Sequence, residues 1–336
     1  MTACQAFLGP EPDISPRGIF DRIWTDFNET YALFEERGIN WNEVKDIYSP
    51  QISPDMGNFE LFRVCANMLN TLNDPHVYFV SPFGHSKLLY YDFEDREPFS
   101  LDIIRGRYLE DGGKFAGDWK FLYGIINESK SKRRVGYIYI REFSGDFEMK
   151  AKATQSWAKK INDIITELGD TDYLVLDVRS NTGGLGSNMN YIAGRFASVK
   201  KDYMKVSTKN GPGRNDFSDP ITFAIKPAIT RYTRPIALLT NRETVSAAEW
   251  FTVALRTQKH ITQVGETTNG AFSPRLMRPL INGWMYTISI QKVKCMDGKC
   301  YEGIGITPNE EHIISNTWED LYSGLDTQLE YALSLY

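Results

Sequence analysis

Ser246 stands where a serine can act as a nucleophile. It follows an apolar run, Ile236-Ala237-Leu238-Leu239, short enough for a buried strand, and a polar turn, TNRET, at 240–244. Directly after it comes a helical pattern: Ala247, Ala248, Trp250, Phe251, Ala254 and Leu255. In α/β proteins sites are built where a helix begins just past a strand end. The free N–H groups and the positive end of the helix dipole would stabilise an oxyanion formed beside that serine. The same position also suits an ordinary N-cap, because Glu249, three residues on, completes a capping box. A serine hydroxyl is a weak nucleophile near neutral pH, so it needs a base within hydrogen-bond reach and a group to orient that base. The chain holds four histidines, His76, His85, His260 and His312. His260 ends the helix after Ser246, where a cation complements the dipole. His85 falls in a loop-like stretch, and His312 follows Glu310-Glu311 and reads as solvated.

The elements that would carry these groups can be read in outline. Ser15-Pro16 opens a helix that carries Phe20, Ile23, Trp24, Phe27, Tyr31 and Phe34 at helical spacing and stops at Gly38. A short helix over residues 41–47 and one over 58–72, with Leu61, Cys65, Met68 and Leu72 on one stripe, complete a small helical bundle. Residues 77–134 mix short aromatic and β-branched runs with Gly and Asp and read as a β-rich connector. From residue 135 strands and helices alternate: a strand over 135–140, an amphipathic helix over 150–168 with Trp157, Ile161, Ile164, Ile165 and Leu168 inward, and a buried strand over 173–178. A helix over 188–197, a strand over 236–239, the helix after Ser246 and a strand over 261–264 follow. That order argues for a parallel or mixed sheet with helices packed on it. Residues 284–293 alternate and lead into a hairpin marked by Asp297-Gly298.

Five words occur in one order along the chain: LNDPH at 72–76, DVRSNTGG at 177–184, SAAEWF at 246–251, GETTNGA at 265–271 and EGIGITPN at 302–309. Together they resemble the S41 serine peptidases, the family of the C-terminal processing peptidases, the tricorn core and the retinoid-binding repeats of interphotoreceptor matrix protein. The resemblance spans residues 17–315. It implies an α/β fold of the crotonase-like type, a spiral of ββα units, preceded here by the helical bundle. Many relatives carry a PDZ module between bundle and core; the 77–134 interval shows no GLGF-like loop. The expected division is therefore 1–15 tether, 16–76 helical bundle, 77–134 β-rich connector, 135–315 peptidase-like core and 316–336 C-terminal helical segment.

Two catalytic solutions exist in that family, a Ser–Lys dyad and a Ser–His–Glu arrangement. The dyad lysine would fall in GETTNGA, where this chain has Asn269, Gly270 and Ala271. No lysine occurs between Lys259 and Lys292. Lys259 lies 13 residues beyond Ser246, about 20 Å along a helix. The resemblance therefore implies the histidine branch, with His76 as base and Glu302 as the carboxylate that orients it. Pro75 replaces the serine that precedes the histidine in the tricorn type, so Glu302 would act directly or through water. The oxyanion hole would combine the Ala247 N–H with that of Gly183 or Gly184, since both glycines allow a close approach. Asp177 and Arg179 would pair with each other or with the core edge and so position the 181–184 loop, and Thr268, Asn269 and Gly270 would line a substrate groove.

The expected activity is that of a serine endopeptidase acting on proteins or peptides, with no metal and no organic cofactor. Two other readings share the fold: a non-catalytic module holding a peptide or apolar ligand, and an acyl-CoA enzyme of the crotonase type. A net charge of −5 and a pI near 5.6 carry no basic footprint of a nucleic-acid binder. No apolar stretch approaches the roughly 18 residues a membrane span needs. Met1-Thr2-Ala3-Cys4 looks like the tail of a bacterial lipobox, with residues 9–13 as a tether; it predicts lipidation at Cys4 and an exported, periplasmic or outer-membrane-anchored protein. Cys295 and Cys300 flank the Asp-Gly turn and are expected to form a disulfide.

Overall fold

The computed structural model describes residues 13–82, 84–87, 98–145 and 155–336. The chain divides into two compact units: Met1–Asp92 with Val206–Pro220 and Ser273–Lys292, and Phe93–Lys205 with Ile221–Phe272 and Val293–Tyr336. Two strands, Lys201–Thr208 and Gln291–Cys295, begin in one unit and end in the other.

The first unit holds helices Pro16–Thr30, Trp41–Tyr48 and Asn58–Asn70. Ser15 caps the first, its hydroxyl accepting the Gly18 N–H at 3.1 Å, and Pro16 sits where its missing N–H costs nothing. That helix ends at Thr30, not at Gly38. Tyr31 turns extended, and the Ala32 N–H bonds the Ser289 carbonyl at 2.9 Å, so a sheet strand draws the chain out of the helix. Tyr31 and Phe34 are buried all the same. The helices do not stand alone as a bundle. A four-stranded antiparallel sheet joins them, in the order Arg275–Pro279, Met285–Ser289, Tyr78–Ser81, Gly84–Lys87. Phe27, Trp41, Phe62, Phe79, Trp284 and Tyr286 meet in one core, with the Phe62 and Phe79 rings stacked at 4.7 Å. Each such aromatic, fully buried, contributes about 1.5–3 kcal/mol.

The second unit is built on a six-stranded sheet in the order Ile261–Gly265, Ile236–Thr240, Tyr173–Asp177, Val135–Ile140, Phe121–Ile125, Lys114–Ala116. The first four strands run parallel and the last two antiparallel. Every residue of the three central parallel strands is buried, which is why they read as unbroken apolar runs. The expected helix over 150–168 appears as Ser156–Lys159 and Ile161–Glu167, with its apolar stripe buried; its first residues lie outside the described ones. The helix expected at 188 begins at Gly186 and ends at Ala193. The 77–134 interval is not uniformly β: Leu101–Ile103 and Ile104–Tyr108 form helical turns. Near the C-terminus, Trp318–Ser323 and Thr327–Ser334 are helices, and the second packs on strands Ile236–Thr240 and Ile261–Gly265. The result is a mixed α/β fold.

Candidate active site

Strand Ile236–Thr240 delivers the chain into a turn that is locked from within. The Asn241 N–H donates to the Thr244 hydroxyl at 3.1 Å, and that hydroxyl donates to the Val178 carbonyl at 2.9 Å. Asn241 Oδ1 accepts the Ser180 N–H at 2.9 Å. The turn is thereby fastened to the loop that leaves the neighbouring strand, Tyr173–Asp177. Ser246 follows at φ +61°, ψ −119°, and helix Ala247–Arg256 begins on the next residue. An ordinary N-cap serine is extended. This conformation belongs to glycine, and a serine held in it costs on the order of 1–3 kcal/mol. The cap reading accounts for the residue type but not for the backbone; a strained strand-to-helix elbow that exposes a nucleophile accounts for both.

The loop 181–184 lies against this elbow. The Val245 N–H bonds the Asn181 carbonyl at 2.9 Å. Gly183, at φ +87°, packs so tightly that a Cβ there would come within 2.8 Å of Val245 O, Ala247 N and Ser246 Cβ. Gly184, at φ +138°, lies against the Phe143–Ser144 backbone, where a Cβ would meet atoms at 2.2 Å. The two glycines differ as donors. The Gly183 N–H is committed to Asn181 Oδ1 at 2.9 Å. The N–H groups of Gly184 and Ala247 have no acceptor among the described residues. Ala247 N is one of the N–H groups that every helix start leaves unbonded.

Glu249 ties a third segment to the elbow. It is fully buried, and its carboxylate accepts four hydrogen bonds: Oε2 from Ser246 N at 3.0 Å and Ala271 N at 2.8 Å, Oε1 from Gly270 N at 2.6 Å and the Thr268 hydroxyl at 2.7 Å. Burial pushes its pKa up to about 7, against the pull of those donors. Thr268, Asn269 and Gly270 were expected to line a substrate groove. Thr268 and Gly270 are instead buried and spend their polar groups internally: the Thr268 hydroxyl also accepts Ile306 N at 2.8 Å, and the Gly270 carbonyl accepts Gly303 N at 2.7 Å. The Asn269 amide donates to the Arg242 carbonyl at 3.1 Å. The loop bonded to Gly270 carries Glu302, which is 3% exposed and so not a surface charge of the hairpin.

A buried charge cluster fixes the other end of the 177–184 loop. Arg179, wholly buried, holds Asp177 through Nε at 3.0 Å and Nη2 at 2.6 Å, and Asp326 through Nη1 at 2.8 Å. Tyr137 donates to Asp177 at 2.7 Å and Gln328 accepts from Arg179 at 2.9 Å. The two carboxylates hold the Arg179 pKa well above its ordinary value despite burial. Asp326 also caps helix Thr327–Ser334 through the Leu329 N–H at 3.0 Å, so the C-terminal helix and the 177–184 loop share one bolt.

His76 belongs to the first unit and is 6% exposed. Its N–H bonds Asp74 Oδ1 at 2.8 Å, and its carbonyl accepts the Thr287 hydroxyl at 2.6 Å. Asp74 in turn accepts the Tyr31 hydroxyl at 2.9 Å. Ring Nδ1 has no hydrogen-bond partner among the described residues. Burial lowers the imidazole pKa; the Asp74 charge opposes that, while Arg275 and Arg37 reinforce it.

The second unit thus brings together Ser246, Ala247, Gly183 and Gly184. Sequence reasoning gave Glu249 a capping role only, and missed Thr244, Asp74 and Asp326. One signal was present for Glu249: a carboxylate inside AAEWF, a stretch with no polar face. The expected Cys295–Cys300 disulfide is absent. The hairpin pairs the Cys295 N–H with the Lys299 carbonyl at 2.9 Å, so Cys300 falls one residue beyond the position opposite Cys295. Among the described residues no group of three or more His, Cys, Asp or Glu could hold a metal ion, and no helix is long and apolar enough to cross a membrane. Cys4 lies outside the described residues.

The fold is a mixed α/β one that sets a strained serine against a glycine loop at a strand-to-helix turn. The chain belongs to peptidase family S41: residues 134–312 match that family, and residues 12–70 match the tricorn protease C1 domain. Two carboxy-terminal processing proteases of Bacillus subtilis are similar to it. One is 29% identical over 187 residues, 55% of this chain and 36% of the relative. The other is 26% identical over 201 residues, 60% of this chain and 38% of the relative. The match therefore spans little more than a third of each. A solved structure of a candidate peptidase from Parabacteroides merdae superposes with a TM-score of 0.82 at 26% identity, covering 96% of this chain and 97% of that one.

Proposed function

We propose that this chain is a serine endopeptidase that hydrolyses peptide bonds in proteins or peptides through an acyl-enzyme on Ser246. The observation that carries the reading is the Ser246 backbone, φ +61° and ψ −119°, beside two N–H groups without acceptors, those of Ala247 and Gly184. Strain of that kind persists only where surrounding contacts impose it, and it gathers at functional sites. Ser246 Oγ attacks the scissile carbonyl carbon and its proton passes to the His76 ring. The carbonyl oxygen, now an oxyanion, takes the Ala247 and Gly184 N–H bonds, and Gly183 serves as the small residue that lets the loop approach. The imidazolium then protonates the departing amine, and water, activated by the same imidazole, hydrolyses the acyl ester. Glu302 is the carboxylate assigned to orient and stabilise His76 in this scheme.

Burial keeps His76 neutral at pH 7, which suits a base, and leaves its Nδ1 without a partner among the described residues. Because its pKa is lowered from 6.5, the limb of the kcat/KM profile that His76 contributes should lie below pH 6.5. Ser246→Ala and His76→Ala should each abolish peptide hydrolysis, and a fluorophosphonate probe should modify Ser246. An unmodified Ser246, or full turnover by the Ser246→Ala protein, sinks the assignment.

The finer expectations belong here too. The mixed α/β core is assigned as a crotonase-like spiral, with the N-terminal helices as its accessory bundle. Export to the periplasm, with Cys4 as a lipidated anchor, follows from the Met1–Cys4 pattern. Palmitate labelling in a bacterial host would report the anchor, and absence of label on Cys4 would end it.

A further inference from the structure

Glu249 has no part in the acyl-transfer scheme, yet it accepts more hydrogen bonds than any capping role requires. A capping box uses the carboxylate once, to reach the N-cap N–H. Here that bond, to Ser246 N, is one of four, and the other three come from Thr268, Gly270 and Ala271. Gly270 sits at φ +88° with a would-be Cβ 2.7 Å from Ile304 N, so the loop is pressed into this position and has no slack. A buried carboxylate is costly, and an apolar residue would pack the helix at less cost. What it gains is that one side chain fixes the Ser246 N–H together with the Gly270 and Ala271 N–H groups. Of the titratable groups on the packed segments, Cys295 feels the Glu249 charge and Arg256 faces Cys295 in turn. Glu302 lies on the loop whose Gly303 N–H bonds Gly270, and Glu266 opens the Thr268 segment. All four direct donors to Glu249 are neutral.

We infer that Glu249 is a positioning residue: its carboxylate clamps the Ser246 backbone to the 268–271 loop, and the strained elbow that presents the hydroxyl is held only while that clamp is closed. The inference rests on Ser246 being the nucleophile. Protonating the carboxylate replaces one acceptor with a donor facing a donor, so the clamp opens as pH falls through about 7, the region to which burial has moved this group.

The test uses the full chain and two readouts. In the first, the rate of Ser246 modification by a fluorophosphonate probe and kcat on a peptide are followed against pH. Wild type should lose activity on the acid side with a slope steeper than one proton. Glu249→Gln should lower kcat and labelling rate about 10- to 100-fold at pH 8, with KM within about threefold, and leave a one-proton limb. In the second, amide exchange is measured at Ser246, Gly270 and Ala271. It should quicken at least tenfold in Glu249→Gln, while helix Pro16–Thr30 is unchanged. Thr268→Val removes one donor and keeps the carboxylate; it should move the upper acid limb upward by roughly half a unit to one unit, the worth of one hydrogen bond. Wild-type labelling and a steep limb in Glu249→Gln, or unaltered exchange at the three amides, would overturn the clamp. Failure of the wild-type protein to label at Ser246 overturns the peptidase reading instead, and the exchange arm still decides whether the clamp exists.

Discussion

A serine at φ +61°, ψ −119° is held where glycine would rest without strain. Two opposing terms decide what Ser246→Gly does. Relief of the strained backbone gains on the order of 1–3 kcal/mol. The added freedom of glycine in the unfolded chain costs about 0.5–1 kcal/mol. Strain is the larger, so Ser246→Gly should be inactive yet more stable by about 1 kcal/mol in urea unfolding. A variant less stable than wild type would mean that the elbow stores no strain. The same scale separates the two glycines that sequence left interchangeable. Nothing in TGG distinguishes their N–H groups; the Asn181 side chain does, by occupying that of Gly183.

At the scale of elements, the loop 177–184 is fixed at one end by the Ser246 turn and at the other by Arg179. Truncating a partner of a buried ion pair costs more than the pair itself contributes, because a charge is left uncompensated. Asp326→Ala should therefore destabilise the protein by about 3–5 kcal/mol. It should also lower kcat by freeing the loop, although Asp326 lies in the C-terminal segment, beyond the region that matches the peptidase family. A loss below about 1 kcal/mol in denaturant unfolding would show the bolt to be dispensable. The sequence made the parallel strands legible because burial on both faces leaves an apolar run. It made the Asp177–Arg179 half of the bolt legible, two residues apart, but not Asp326, because an Asp before a helix reads as a cap whether or not an arginine waits 147 residues away.

At the scale of the whole molecule, each unit has a core of its own: Phe20, Phe27, Trp41 and Cys65 in one, Tyr137, Tyr173, Leu239 and Leu329 in the other. Cys65 is wholly buried, with its thiol pushed up to about 12, while Cys300 is half-buried. Thiol alkylation followed by mass spectrometry should therefore label Cys300 quickly. Cys65 should label only at the rate at which the first unit opens, rising with urea. Equal rates for the two thiols would mean that the first core is not closed. The first unit is also where the sequence reading fell short. Its helices were expected as a bundle by themselves, but a four-stranded sheet shares their core, and two of its strands come from residues 275–289, some two hundred positions on.

The sequence by itself determined what is local or repeated along the chain: the apolar period of each strand and helix, the Ser15-Pro16 start, and the word order that marks the peptidase family around Ser246. Those signals survive in one dimension because they depend on neighbours three or four residues away. Tertiary structure alone decided the Ser246 dihedral angles, the capture of the Gly183 N–H by Asn181, the fourfold engagement of Glu249 and the reach of Arg179 to Asp326. Each of these depends on which N–H or carboxylate from a distant segment arrives at hydrogen-bond distance, and residue type carries no record of that arrival.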